Sequence, residues 1–310
     1  MTATAGRDRP SGTTARTVAQ AKVNLFLRVL AREASGYHQL ETLFCRLELG
    51  DDVVVRVGVD GRSLDCAGDV IPPEGLGPTQ RNLAWRAAVA YADATGWPND
   101  WAIEIAKRIP VGGGLGGGSA DAGAVLRCLN RLAPSPLSDD ALIALAAPLG
   151  ADVPFLATRD PMALAWGRGE RLLALPPLPE RAITLVCFPF GVSTPDAYGW
   201  LDEIAPRPRA ARLSVDALST WVGVARVAHN DFEAAVAPRY REIERALEEL
   251  RAHAVRVHDA TSVTMLAGSG ATVFSICDTG PQAMTAVHGM SLRLAHTRTA
   301  SRVVAVEVSD

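Results

Sequence analysis

The chain has 310 residues, is 48% hydrophobic and 21% charged, and carries a formal charge of −3. That composition is the one of a soluble globular protein with a sizeable core, in one large or two ordinary domains. The charge gives no broad pull toward nucleic acid or an anionic membrane.

Residues 1–17 are small, polar and basic without an apolar stretch, which excludes an ordinary secretory signal and predicts a disordered arm. No segment approaches a membrane span. Val23, Leu25 and Leu27, continuing to Leu30, predict a strand, and a loop follows at Ser35–His38. Val53, Val55, Val57 and Val59 alternate with Val54, Arg56, Gly58 and Asp60 as a second strand. Residues from Asn82 to about Ala94 predict a helix, with Leu83, Ala87 and Ala90 on one side. Trp101, Ile103 and Ile105 alternate as a strand, and Ala122, Val125, Leu126, Leu129 and Leu132 recur at helical spacing. A further helix spans about 139–149, with Ser138 as N-cap and Gly150 as its stop. Asp152 sits just past it, on a turn held by Pro154. The proline-rich run Leu175–Glu180 marks a domain boundary, dividing the chain into 18–174 and 175–310. Beyond it come a strand at Ile183–Phe188 and a long helix to about Ala254, opened by an Asn230/Glu233 capping box. Strands at Val263–Leu266 and Ala271–Ile276, a helix near Gln282–Met290 and a last strand at Arg302–Val308 complete the chain. The mixture is α+β rather than a regular β-α repeat.

The five cysteines are scattered and form no C-x-x-C pair, so free thiols in a reducing cytoplasm explain them better than disulfides or zinc. The six histidines show no metal-ligand spacing.

Between the strand at 101–106 and the helix after it lies Pro110–Asp121, with glycine at Gly112–Gly114 and Gly116–Gly118. Glycines there let backbone N–H groups approach a ligand closely, and the helix N-terminus behind them favours phosphate. The segment reads as a nucleotide-phosphate cradle; a flexible linker rarely sits between two well-patterned elements. It lacks the G-x-x-x-x-G-K-[ST] ending of a P-loop. Gly112, Gly114 and Gly117 satisfy G-x-G-x-x-G, but the window where a dinucleotide fold wants an acidic residue offers only Asp139 and Asp140, better used opening a helix. Protein-kinase elements are absent.

With the loop in place, other segments align in order: Ala21–Leu27 (AKVNLFL), Gly36–Leu40, Thr42–Phe44, Gly150–Phe155, Asn230-Asp231 and Gly268–Ala271. Together they resemble the galactokinase–homoserine kinase–mevalonate kinase–phosphomevalonate kinase superfamily, over about residues 18–310. The first two segments narrow the resemblance to the branch acting on a cytidine diphosphate conjugate of methylerythritol. The resemblance implies two α+β domains, one like the second domain of ribosomal protein S5 and one ferredoxin-like, with ligands in the cleft between them. It implies ATP-dependent phosphorylation of the conjugate's 2-hydroxyl, on the non-mevalonate route to isoprenoid precursors. ATP with Mg²⁺ would be the cofactor, with no protein-held metal. The substrate would be a small molecule, with no nucleic acid or membrane partner, in a cytoplasmic monomer or homodimer.

By the same resemblance Asp152 is the catalytic base, and Lys22 the active-site lysine that pairs with it and steadies the transferring phosphoryl group. A turn-forming role for Asp152 and a snorkelling role for Lys22 are the plainer alternatives. Asn24, on the same strand face as Lys22, would orient substrate hydroxyls. Tyr37 and His38 match the cytidine-recognising loop, and Tyr198 the aromatic closing the other side of the base, although a half-buried tyrosine fits as well. Asn82 and Lys107 match the adenine side. Pro110, Val111, Gly112, Gly113, Gly114, Leu115, Gly116, Gly117, Gly118, Ser119 and Ala120 match the nucleotide loop. Ser119 would contact phosphate or Mg²⁺, and helix capping by it fits the sequence equally. Gly268, Ser269 and Gly270 look like a second glycine turn over the substrate, or a plain hairpin turn. Ser35 and Ala267 depart from the family pattern, where aspartate and serine are frequent, and bear on how loops pin the substrate. A relative acting on another alcohol has no base to stack on Tyr37, and a silent nucleotide-binding regulator has no need of both Lys22 and Asp152.

Overall fold

Two long strands organise the molecule, β1 (Thr14–Arg32) and β2 (His38–Val57), paired antiparallel along their length. The structure is a computed structural model and describes residues 12–34, 36–204, 213–278 and 292–309. The C-terminal half of β2 pairs with β4 (Trp101–Ala106), and its N-terminal half with β5 (Met162–Gly167). β3 (Arg62–Ala67) runs parallel to β4, and β6 (Arg171–Leu175) antiparallel to β5. α2 (Gly117–Leu132) packs on this sheet, and α1 (Leu83–Thr95), α3 (Asp139–Ala146) and α4 (Val153–Ala157) pack around α2. α2 is central: every residue from Ala120 to Leu129 is buried, which its small residues permit by letting neighbours approach closely.

A second sheet has β7 (Ala182–Cys187), β8 (Val263–Leu266), β9 (Val273–Ile276) and β10 (Arg293–Arg298) in the order β10-β7-β9-β8, all antiparallel. This is the ferredoxin-like strand order. α9 (Arg241–Arg256) covers it with Ile243, Ala246, Leu247, Leu250 and Ala254, an apolar stripe at helical spacing. Short helices α5 (Thr194–Asp202), α6 (Val215–Leu218), α7 (Trp221–Val227) and α8 (Asp231–Val236) lead into α9. No described helix is long and apolar enough to cross a membrane. The α+β class read from the sequence is the class observed.

Several boundaries differ from expectation. The arm expected over 1–17 ends sooner, because Thr14–Thr17 already pair with β2; residues 1–11 lie outside the described residues. The alternation of Ala15 and Ala19, both fully buried, is too weak in hydrophobicity to announce a strand. The long helix expected from Asn230 is two helices, since Pro238 lacks an N–H and turns 237–239 into a 3₁₀ segment. Asn230 does cap α8, accepting from the Phe232 N–H, but Glu233 accepts from Leu266 N–H instead of closing a capping box. The strand expected at Arg302–Val308 is mostly irregular. Side chains of β1 take its backbone groups, with Gln20 bonding Val304 N–H and Arg302 O, and Thr17 bonding Val304 O. Only β11 (Glu307–Ser309) pairs, and it pairs with β1. The chain after residue 175 therefore returns to the first sheet. The helix expected at 282–290 and Ser35 fall outside the described residues.

The two units meet backbone to backbone at the glycine loop. The Thr272 N–H donates to Gly113 O at 3.2 Å, and Gly114 adopts φ +76° with Ala267 beside it. A Cβ on Gly114 would lie 1.9 Å from the Ala267 carbonyl oxygen. Gly114→Ala is therefore expected to destabilise the protein by about 1–3 kcal/mol, read from the urea midpoint. Gly118→Ala, whose Cβ would meet only Leu83 Cδ1 at 3.8 Å, should leave that midpoint nearly unchanged.

Candidate active site

Adjacent positions on one face of β1 and β2 supply a chain of buried hydrogen bonds. Thr42 Oγ1 donates to Phe26 O at 2.6 Å, Asn24 Nδ2 to Thr42 Oγ1 at 2.7 Å, and Lys22 Nζ to Asn24 Oδ1 at 2.9 Å. The same ammonium lies 3.2 Å from Asp152 Oδ2. Lys22 is 3% exposed, so it is embedded rather than snorkelling. Asp152 stands at the head of α4 without making a capping hydrogen bond. Its carboxylate faces Lys22 and is partly open to solvent, which argues against a mere turn former. Asn24 shares the face of Lys22 and accepts from its ammonium through Oδ1.

The glycine loop closes over this pair. The Lys22 N–H donates to Leu115 O at 3.0 Å. Gly116, at φ +72°, leaves no room for a side chain, since a Cβ would meet Lys22 Cε and Cγ at 3.0 Å. α2 starts directly behind, at Gly117, with no side-chain cap. Ser119 is thus not the helix cap. The first N–H groups of a helix have no intrahelical partner and are free for phosphate.

A cavity of about 590 Å³ holds these groups together: Lys22, Asn24, Asn82, Lys107, residues 110–119, Asp152, Tyr198, Gly268 and Ser269. Ala120 and Gly270, expected at the nucleotide loop and the second glycine turn, line neither this cavity nor the one beside it. Ala120 is 1% exposed and its N–H is taken by Gly116 O, and Gly270 bonds back to Ala267 O. Ser269 Oγ lies 2.9 Å from Thr194 Oγ1, and Asn230 Nδ2 donates to Gly268 O and Leu266 O, each at 2.8 Å, so the second glycine turn is tied down.

A neighbouring cavity of about 1600 Å³ contains Tyr37 and His38 and shares Leu40, Ala151, Thr194 and Tyr198 with the first. Tyr37 is exposed, with the Arg168 guanidinium 4.3 Å from its ring centroid on one face. Tyr198 does not stand opposite it as a bare wall: His38 stacks on Tyr198 at 4.5 Å, and Phe232 meets its edge at 4.9 Å. Burial, with the charge of Asp152 adding, pushes the Tyr198 hydroxyl up to about 12.

On the loop's other side Lys107 and Asn82 line the same cavity and are also held by protein partners. Lys107 Nζ is bound by both Asp51 and Asp121, the latter at 2.6 Å, all three buried. Burial opposes the Lys107 charge, but the two carboxylates outweigh it and hold its pKa raised. Asp51 also accepts the Ile109 N–H at 2.8 Å, and so fixes the start of the loop. Asn82 Oδ1 caps α1 through the Ala84 N–H at 2.9 Å. Asp51, Asp121 and Thr42 carry this support and were not singled out from the sequence. An acidic residue leading the Val53–Val57 run was the available signal for Asp51. No group of three or more acidic, histidine or cysteine side chains suited to a metal occurs among the described residues.

A glycine loop at an uncapped helix start, a lysine–aspartate pair and two abutting units are the features of a small-molecule kinase. Residues 82–159 match the family described as GHMP kinases N terminal domain. A 4-diphosphocytidyl-2-C-methyl-D-erythritol kinase from Deinococcus radiodurans is 36% identical over 89% of this chain and 88% of its own. A crystal structure of 4-(cytidine 5'-diphospho)-2C-methyl-D-erythritol kinase superposes with a TM-score of 0.69 at 34% identity, covering 92% of this chain and 99% of that one. Homoserine kinase from Cytophaga hutchinsonii shares the fold at 16% identity, with a TM-score of 0.67 over 97% and 99% of the chains. The chain belongs to the 4-diphosphocytidyl-2-C-methyl-D-erythritol kinase family.

Burial pushes the Asp121 carboxyl up to about 7, against the pull of Lys107. From about pH 4 to about pH 7 the folded protein keeps a proton there that the unfolded chain has released. Its stabilising contribution is complete below that window and is lost as pH rises through about 7. Asp121→Asn removes the titration. Urea midpoints measured across the window should show wild type losing stability relative to the variant as pH rises, with a constant difference above it.

Proposed function

We propose that this chain transfers the γ-phosphoryl group of ATP to the 2-hydroxyl of 4-diphosphocytidyl-2-C-methyl-D-erythritol, with Asp152 as base. The observation that carries the reading is the Lys22–Asp152 contact at 3.2 Å, where the glycine-loop cavity borders the one holding Tyr37 and His38. Backbone amides at 112–119 would hold the phosphates, and the cytidine end would stack on the open face of Tyr37.

In the transfer, the hydroxyl oxygen bonds to the γ-phosphorus as the bond to the β–γ bridging oxygen breaks, and ADP leaves. Asp152 accepts the hydroxyl proton. Lys22 donates to Asn24 and faces the Asp152 carboxylate, which leaves an N–H for a phosphoryl oxygen, where charge is redistributed in the transition state. Mg²⁺ would arrive with the nucleotide, held mainly by phosphate with the Ser119 hydroxyl in reach, and would neutralise phosphate charge. Five free thiols, four of them buried, fit a cytoplasmic setting.

Asp152→Asn should lower kcat by about 10²–10⁴ while the protein stays folded. Near wild-type turnover in an ADP-release assay would remove Asp152 from the mechanism. Tyr37→Ala should raise KM for the cytidine substrate and spare that for ATP. Equal weakening of both would contradict the stacking role.

A further inference from the structure

His38 is held by two restraints that together fix its plane and its protons. Tyr198 stacks on the ring at 4.5 Å with 15° between planes. Asp202, one turn further along α5, places Oδ1 2.8 Å from His38 Nε2. The other carboxylate oxygen, Oδ2, lies 3.4 Å from Arg32 Nη1. A carboxylate only accepts hydrogen bonds, so in the neutral imidazole the proton sits on Nε2. Nδ1 is then an acceptor, and it has no hydrogen-bond partner among the described residues. His38 lines the same cavity as Tyr37.

Cytosine and uracil differ at this level by one group. Cytosine carries an exocyclic amino donor at C4, where uracil has a carbonyl acceptor. A fixed acceptor beside the stacking surface of Tyr37 satisfies the first and opposes the second. We propose that Asp202 is the positioning residue that makes this site select cytosine, by holding His38 in the tautomer whose Nδ1 accepts from the base amino group. The inference rests on the reading of the Tyr37–His38 cavity as the cytidine subsite. Asp202 itself need not touch the substrate.

The informative variant is Asp202→Asn. Arg32 can only donate, so it retains the amide oxygen and turns the NH₂ toward His38. That NH₂ donates to Nε2 and moves the ring proton to Nδ1, which then opposes an amino group and suits a carbonyl. Asp202 is on the surface side of α5, so folding should survive; a thermal melt checks this. The measurement is kcat/KM for the cytidine conjugate and its uridine counterpart, with KM for ATP, alongside ¹⁵N spectra of histidine-labelled protein. Wild type should favour the cytidine compound and show protonated Nε2 with bare Nδ1. The variant should lose about tenfold of that preference, reverse the two ring-nitrogen signals and keep its KM for ATP.

Unchanged base preference in the variant, or a wild-type Nδ1 that already bears the proton, overturns the role of Asp202 and leaves the kinase reading standing. A wild-type enzyme that phosphorylates both conjugates equally, or neither, overturns the subsite assignment and this inference with it.

Discussion

Lys22 is buried to 3% exposure with its Nζ against the Asp152 carboxylate, and the architecture around it answers the demand that such a side chain makes. A buried ammonium is tolerable only when its donors are matched, here by Asn24 and Asp152. Meeting that condition joins β1 to α4, elements far apart in sequence. It also crowds out a side chain at Gly116, whose Cβ would meet Lys22 at 3.0 Å and the Asp152 carboxylate at 3.5 Å. The result is a rigid corner where a carboxylate, an ammonium and the start of α2 converge. Such preorganisation lets a kinase act by positioning and charge rather than by covalent chemistry.

The corner is completed from outside the first sheet. Thr272 bonds the glycine loop, while Asn230 pins Gly268 and Thr194 meets Ser269, so the turn that the second unit brings to the loop is itself held in place. Behind the loop, Asp51 and Lys107 anchor its first residues. The loop thus owes its shape to neighbours on both sides, and its glycines serve backbone approach within the protein as much as ligand access.

The parts legible in the sequence were those with local signatures. Gly112–Gly118 between a strand and a helix marked the cradle, and the AKVNLFL run placed Lys22 and Asn24. Asp152 was legible through its short motif rather than through any property of an aspartate on a turn. What escaped was set by tertiary partners. Asp51 looks like a turn residue until β2 is seen to run through it from His38 to Val57. Residues 303–306 look like a strand, yet the Val304 N–H and carbonyl bond the Gln20 and Thr17 side chains rather than a ladder. Tyr198 could be aligned as an aromatic, but not foreseen as a platform beneath His38.

The most direct test is a crystal structure with a non-hydrolysable ATP analogue and the acceptor bound together. The account predicts phosphate oxygens on the amides of 112–119, with the acceptor hydroxyl between the γ-phosphorus and the Asp152 carboxylate, in hydrogen-bond reach of the latter. Phosphates bound elsewhere, or a hydroxyl facing away from Asp152, would contradict it.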